Sequence, residues 1–476
     1  MKSIVSRITA GLIAVTLVSA PGLGAASVAA GMDANGETVR DVAGTRSADV
    51  FAAMGALTVK GRLMRASELG HPNYNAGLAG EPMGLVGEAW LDLLAYAERN
   101  LVDDGRIHAA SDSEKDSPLS VYADAVYLYH MHHSAGRFED HGLYARLIHE
   151  VSPTLGALSR HLLDEIYSAG TFSDPVSVDD AVTAESMAYG LDALHGPAYA
   201  WVRRHKPGGR DDMGQQSEEE LAGWLGHDLD TILRVSRALA KSLDDAWDDN
   251  NGIYVFNNGT EWGIDVLGAL VRGHKGIYEI LYMFGDEEDE QHAELLFDRA
   301  ADMVEAVLGN EELISDWGLP AAVRFDKGVA HPASDEVDVA AQWLFVHRLT
   351  GGFTIVRERD GTSDYLQSRR DGLVDTIGAG IDRLIDGALK HHIVGDYVVD
   401  TLSYGNGTVV DQSTATRTAA AFVQGVGNSY RTGSRYERPG DWGDDEALAE
   451  RSKALYDAFY RHGQLLTHTL IATKSE

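Results

Sequence analysis

Five times along this chain a helical pattern breaks into a short extended strip, then an acidic or amide-rich loop, then a second, more apolar helix. The strip-and-loop segments read LVDDGRIHAASDSEKDSP, SAGTFSDPVSVDD, WDDNNGIYVFNNGTEW, DWGLPAAVRFDKGVAHPASDE and HHIVGDYVVDTLSYGNGTVVDQ. The second helices start near Leu119, Ala184, Gly263, Val337 and Ser413, about 65 to 80 residues apart, a period that marks stacked supersecondary units. A sixth copy is expected at the front, with ALTVKGRLMRASELGHP as its strip and GLVGEAWLDLLAYA as its second helix. A helical hairpin cannot bury its own apolar faces, so neighbouring hairpins must cover one another. The expectation is an all-α chain, an α/α toroid of about six helical hairpins with short extended strips in the loops. An open solenoid satisfies the same burial rule and is the alternative.

The helical segments announce themselves by period and cap. From Ser217, the positions Leu221, Leu225, Leu229, Ile232, Val235, Leu239 and Leu243 step by three or four. Ser217 and Glu220 form a capping box that opens this run. Further helical patterns cover 143–166, 292–308, 365–385 and 446–470. The run GDEEDE at 285–290 reads as a solvated first turn favoured by the helix dipole. The segment HKPGGRDDMGQQ at 205–216 has linker composition and leaves open a division there; otherwise 31–476 reads as one domain.

The first thirty residues have the form of a secretory signal, 1–30. Lys2 and Arg7 precede the apolar run 10–20, and Val18-Ser19-Ala20 and Ser27-Val28-Ala29 both offer small-residue cleavage sites. The run is broken at Pro21-Gly22, short of the roughly 20 apolar residues a spanning helix needs. The expectation is a secreted or cell-surface protein with no membrane partner after signal removal. With 73 acids against 40 basic residues and a net charge of −33, the surface repels nucleic acid and anionic lipid. The acids are spread along the chain, as in secreted proteins of salt-loving organisms. There is no Cys, which excludes disulfides and Cys-based metal sites. No HExxH, P-loop, GxGxxG or GxSxG occurs, and DDNNG lacks the EF-hand pattern. No metal or other cofactor is expected.

At this point the chain resembles the six-hairpin α/α toroid group, which includes many glycoside hydrolases, some polysaccharide lyases and sugar epimerases. The resemblance lies in the repeated hairpins and covers nearly all of 31–476; no motif specific to one family is present. It implies a site where the loops enter the inner helices, lined by acids and aromatics, and a carbohydrate or other small-molecule substrate.

The sequence places acids there repeatedly. Asp179, Asp180 and Glu185 flank one helix start, Asp248, Asp249, Glu261 and Asp265 a second, Asp335, Glu336 and Asp338 a third, and Asp411 a fourth. Glycosidic hydrolysis needs one protonated and one ionised carboxyl on either side of the scissile bond. Glu185, Glu261, Asp265 and Glu336 are the candidate catalytic acids, with Tyr254, Trp262 and Tyr404 as candidate sugar platforms, since flat rings stack on pyranose faces. The same acids would cap helix N-termini if they did nothing else. Two sequons, at Asn258 and Asn406, sit in equivalent loops and are candidate glycosylation sites. The chemistry expected is glycoside hydrolysis; the alternatives are a non-catalytic glycan- or protein-binding toroid and a polysaccharide lyase.

Overall fold

In the computed structural model the described residues are 27–28, 31–32, 38–39, 45–68, 83–135, 153–177, 182–205, 217–257, 259–352, 364–395, 397–432, 458, 461–463 and 471–472. The helices are α1 (Ser47–Glu68), α2 (Met83–Asn100), α3 (Leu119–Ala135), α4 (153–161, ending in the π-turn Leu162–Ile166), α5 (Ala184–Arg204) and α6 (Glu218–Leu225). They continue with α7 (Leu229–Ala246), α8 (Ile264–Phe284), α9 (Glu287–Leu308), α10 (Val339–Gly352), α11 (Asp364–His391) and α12 (Thr416–Thr432).

Six of these helices form a ring. Helix α1 packs against α3, α3 against α5, α5 against α8, α8 against α10, α10 against α12, and α12 returns to α1. The ring is closed, an α/α toroid, and the open solenoid is excluded. Gln424 of α12 lies at the seam, its Nε2 3.5 Å from the Ala52 carbonyl of α1. An inner helix is covered on both sides, so it is apolar nearly all round; in α8 the residues from Val266 to Leu281 are buried. Outer helices are amphipathic by contrast. Helix α7 buries Ile232, Val235, Leu239 and Leu243 and turns Asp230, Lys241 and other polar residues outward.

The expected strips are real and have a common construction. Four outer helices end in a hairpin of two-residue strands: Val102–Asp103 with Arg106–Ile107, Tyr167–Ser168 with Thr171–Phe172, Trp247–Asp248 with Ile253–Tyr254, and Ile393–Val394 with Tyr397–Val398. In each, the last residue (Ile107, Phe172, Tyr254, Val398) is buried beneath the inner ring. The first two turn through consecutive residues of positive φ, Asp104-Gly105 and Ala169-Gly170, the twist that suits a tight hairpin. At Gly170 a side chain is excluded twice, by φ of +91° and by the Ala238 carbonyl 2.8 Å from where a Cβ would stand.

The front of the chain differs from expectation. ALTVKGRLMRASE is not a strip but the body of α1, the sixth inner helix, and GLVGEAWLDLLAYA belongs to α2, an outer helix packed on α1. The capping box at Ser217 and Glu220 is present, and a second one, Asp286 with Asp289, opens α9 within GDEEDE. The segment 206–216 lies outside the described residues; α5 and α8, on either side of it, pack directly together. Near the front, Ser27–Val28 pairs with Ile471–Ala472, and Gly31–Met32 pairs with Thr414–Ala415 just before α12. Among the described residues no helix is long and apolar enough to cross a membrane.

Candidate functional site

The inner helices run parallel, so their N-terminal ends share one mouth, fed by the hairpin loops. Asp265 stands in the first turn of α8 at this mouth. Tyr189 of α5 donates a 2.7 Å hydrogen bond to its Oδ2, the Val266 amide donates to Oδ1 at 3.0 Å, and an Arg417 nitrogen of α12 lies 3.5 Å from Oδ2. Asp338, just ahead of α10, accepts the Ala341 amide at 2.9 Å. Burial pushes its carboxyl up from the usual carboxylate value, and the neighbouring Asp265 charge adds to this, while Arg417 pulls the other way.

Below these acids the axis of the ring holds a charged floor. Asp192 of α5 is fully buried and binds Arg272 of α8 through both carboxylate oxygens, the Nη2 contact at 2.7 Å. Its Oδ2 is also 3.3 Å from Nε of Arg348 on α10. Arg348 reaches upward as well, donating to the Asp265 carbonyl at 2.9 Å and lying 3.4 Å from Asp124 of α3. Burial works against its charge, but Asp192 and Asp124 together hold the guanidinium above its ordinary value. Asp124 keeps 30% of its side chain accessible, yet burial pushes its carboxyl up despite Arg348 and Arg272 nearby. A carboxyl that solvent can touch but protein surrounds looks into a recess. One turn further along α3, the Tyr127 ring lies 4.0 Å beneath the Arg272 guanidinium and stacks on His195 at 6.4 Å.

Of the residues expected from sequence, Asp265 is in this cluster. Glu185, in the first turn of α5, is exposed. Glu261 and Glu336 are exposed on short strands, paired with Arg324 and Ser403, whose next residues Trp262 and Val337 point into the core. Asp338, two residues beyond Glu336 and exposed on the same short strand, is the acid of that loop whose carboxyl is raised by its surroundings. The aromatic assignments fare differently. Tyr254 and Trp262 are wholly enclosed and present no face to the mouth; they are core. Tyr254 hydrogen-bonds His274 Nε2 at 2.8 Å. Since His274 Nδ1 lies 2.7 Å from the Leu270 carbonyl, that nitrogen donates, so Nε2 accepts from the Tyr254 hydroxyl. Tyr404 is half-buried and its hydroxyl donates to the Leu313 carbonyl at 2.8 Å.

Among the loop residues, Asn406 is exposed, its Oδ1 closing a turn with the Thr408 amide at 3.0 Å; Asn258, Asp179 and Asp180 lie outside the described residues. Asp248 likewise closes its own loop, accepting Asn250 N at 2.9 Å and Asn251 Nδ2 at 2.7 Å. Among the described residues no group of His, Asp or Glu has the arrangement of a metal site. A separate groove of about 430 Å³ lies outside the ring between the end of α9 and the hairpin 322–332; its acid Glu305 is engaged by Arg369 at 2.9 Å.

Sequence reasoning passed over Tyr189, Asp124, Asp192, Arg272, Arg348 and Arg417. The available signal was charge in apolar surroundings, Asp192 within GLDALHG and Arg272 within ALVRGHKG, because a buried charge demands a partner.

No family model and no curated protein matches the sequence. Among solved structures, the chain is similar to a sugar epimerase from a ruminal bacterium, at 9% identity and a TM-score of 0.49, over 84% of this chain and 91% of that one. It is similar to a β-1,3-1,4-glucanase from Paenibacillus sp. X4, at 11% identity and a TM-score of 0.44, over 80% and 92%. A D-mannose isomerase is similar at 9% identity and a TM-score of 0.44, over 80% and 86%.

Proposed function

We propose that the protein is an exported carbohydrate-active enzyme that hydrolyses glycosidic bonds at the mouth of the ring. The observation that carries this reading is the contrast between two neighbouring acids. Asp265 is held by the Tyr189 hydroxyl, the Val266 amide and Arg417, and Asp338 lies near enough that the Asp265 charge adds to the rise of its carboxyl above the usual carboxylate value. Two neighbouring carboxyls, one of them held above its usual value, are the arrangement that acid–base cleavage of an acetal requires. In this scheme Asp338 delivers a proton to the leaving oxygen. Asp265 faces the anomeric carbon or the water that attacks it. Tyr189 keeps the Asp265 carboxylate oriented, and Arg348 holds the first turn of α8 through the Asp265 carbonyl. The lyase alternative needs a base such as a deprotonated tyrosine, and Tyr189 is a poor one: burial, and then the Asp265 charge, hold its hydroxyl well above the ordinary tyrosine value.

The test uses the whole chain at high salt on a panel of polysaccharides and oligosaccharides. New reducing ends without ultraviolet absorbance of an unsaturated product are expected from the parent protein. Asp265→Asn and Asp338→Asn should each lower turnover by at least about a hundredfold, the scale of a lost general acid or base. Turnover that survives both substitutions sinks the assignment.

A further inference from the structure

The bore of the ring is closed partway down. In the ring order α3 and α10 stand opposite each other, so a contact between them crosses the full width. Two such contacts exist. Arg348 Nη2 of α10 is 3.4 Å from Asp124 of α3, and further down the Tyr127 ring of α3 meets His347 of α10 edge-on, with centroids 6.2 Å apart. The same Arg348 guanidinium donates to the Asp265 carbonyl of α8, and its Nε lies 3.3 Å from Asp192 of α5. One side chain thus ties four of the inner helices together across the axis. Asp192 and Arg272 each lie eight positions beyond their helix starts, Ala184 and Ile264, about 12 Å down at roughly 1.5 Å per residue. Side-chain exposure follows this closure. It is 45% at Arg417 and 30% at Asp124, but at most 2% at Arg348, Arg272 and Asp192. On the α12 side, Gln424 at a similar depth is buried. The recess is a pit with a floor.

A pit and a groove make different demands on a chain-like substrate. A groove lets a polymer lie across the acids and be cut anywhere, whereas a pit admits only an end. The usable depth is short, because Asp124 is five positions beyond Leu119, about 8 Å below the start of α3. Between the acids at the rim and Asp124 there is depth for one sugar unit. Arg348 engages Oδ1 of Asp124, and among the described residues Oδ2 is left to accept hydroxyls of that unit. The levels of the two rim acids decide which end enters. Asp265 lies inside the first turn of α8 with 19% of its side chain exposed, while Asp338 is exposed just ahead of α10. With the deeper acid facing the anomeric carbon and the outer one facing the leaving oxygen, the enclosed unit is the one whose anomeric carbon is cut.

We infer that the site acts on chain ends, taking the non-reducing terminal sugar of an oligo- or polysaccharide into the pit and releasing it as a monosaccharide. Asp124 at the bottom is then a specificity-determining residue. This rests on the hydrolytic reading of the mouth and narrows it. Water adds across the bond, its hydroxyl to C1 of the terminal sugar and its hydrogen to the linking oxygen. The new reducing end therefore appears on the released sugar.

The whole chain is incubated with each glycan of the panel, native and with its reducing ends converted to alditols by borohydride. Viscosity, reducing ends and product size are followed together. The expected first product is a monosaccharide, with viscosity nearly constant during early cleavage and equal rates on native and reduced chains. Asp124→Asn, checked for folding by circular dichroism, should weaken inhibition by the released monosaccharide at least about tenfold, the scale of one charged hydrogen bond. Where that variant does not fold, product size and viscosity decide the matter. First products of three or more units, viscosity that collapses ahead of reducing ends, a rate that falls on the reduced glycans, or unchanged product inhibition in folded Asp124→Asn overturns the inference and leaves the hydrolytic reading standing. A parent protein that cleaves no glycan of the panel overturns both.

Discussion

The Tyr189 hydroxyl reaches across from α5 to place a 2.7 Å hydrogen bond on Asp265 Oδ2 at the start of α8. This contact joins the two inner helices where Gly273 and Gly276 bring them into close packing: a Cβ on Gly276 would meet His195 at 2.8 Å. Tyr189→Phe keeps the ring under Arg348, whose Cζ lies 5.4 Å from its centroid, and removes only the donor. It should lower kcat/KM about tenfold, as loss of a charged hydrogen bond does, with little change in thermal midpoint. A variant with a lower midpoint and unchanged kcat/KM would reduce Tyr189 to a packing residue.

The pH profile tests Asp338. A proton donor works only while protonated, and this carboxyl is raised, so activity should persist above the ordinary aspartate value of about 3.9 and fall on the alkaline side as Asp338 ionises. Arg417 opposes that rise and Asp265 reinforces it. Arg417→Gln should therefore move the alkaline limb of kcat/KM to higher pH. A limb that stays in place removes Asp338 from the donor role.

The floor is a structural commitment. Asp192 is fully buried between Arg272 and Arg348, and removing one partner of a buried ion pair leaves an uncompensated charge at a cost of about 3–5 kcal/mol. Asp192→Asn should lower stability on that scale in denaturant titrations at fixed salt. Glu185→Gln, at an exposed helix start, should stay within about 0.5 kcal/mol.

Two histidines set an acid limit. Burial lowers His274 and His392 to about 4 from the ordinary 6.5, and the hydrogen bond each ring makes to a carbonyl, of Leu270 and Trp317, offsets this only in part. The unfolded chain binds these protons more readily than the folded one. Their contribution is thus fully present above pH 6.5 and is lost as pH falls through that value toward about 4, at up to about 1.4 kcal/mol per pH unit for each. Unfolding midpoints should drop across that window. His392→Gln should flatten the decline, and an unchanged slope would contradict the assignment.

The front strands bear on processing. Val28 and Met32 are buried, and Ser27–Val28 is paired with Ile471–Ala472. Cutting after Ala29 would discard one of these strands, whereas cutting after Ala20 keeps both. Mass spectrometry of exported protein should give a chain that begins at Pro21. A start at Ala30 would refute this.

The ring was legible because repetition and helical period survive sequence divergence. The expected inner-helix starts at Leu119, Ala184, Gly263, Val337 and Ser413 fall within three residues of the observed ones. The front unit was misassigned because α1 and α2 are both apolar enough to pass for an inner helix. The site was legible only at its rim. Asp265 could be found because it opens a helix, but strand alternation sends Trp262 inward and leaves Glu261 outside. Arg348 and Asp124 could not be placed, because a helix buried on all sides gives no sequence sign of which face looks down the axis.

Closure of the ring has a kinetic consequence. The seam between Ala52 and Gln424 joins positions 372 residues apart, so α12 has nothing to seal against until nearly the whole chain is present. Contacts of such sequence separation form late. Until they do, the sides of α1 and α12 that face each other stay open to other chains, the kind of exposure from which aggregation starts. Substitutions along this seam should therefore reduce the yield of refolding more than they reduce the stability of the finished ring.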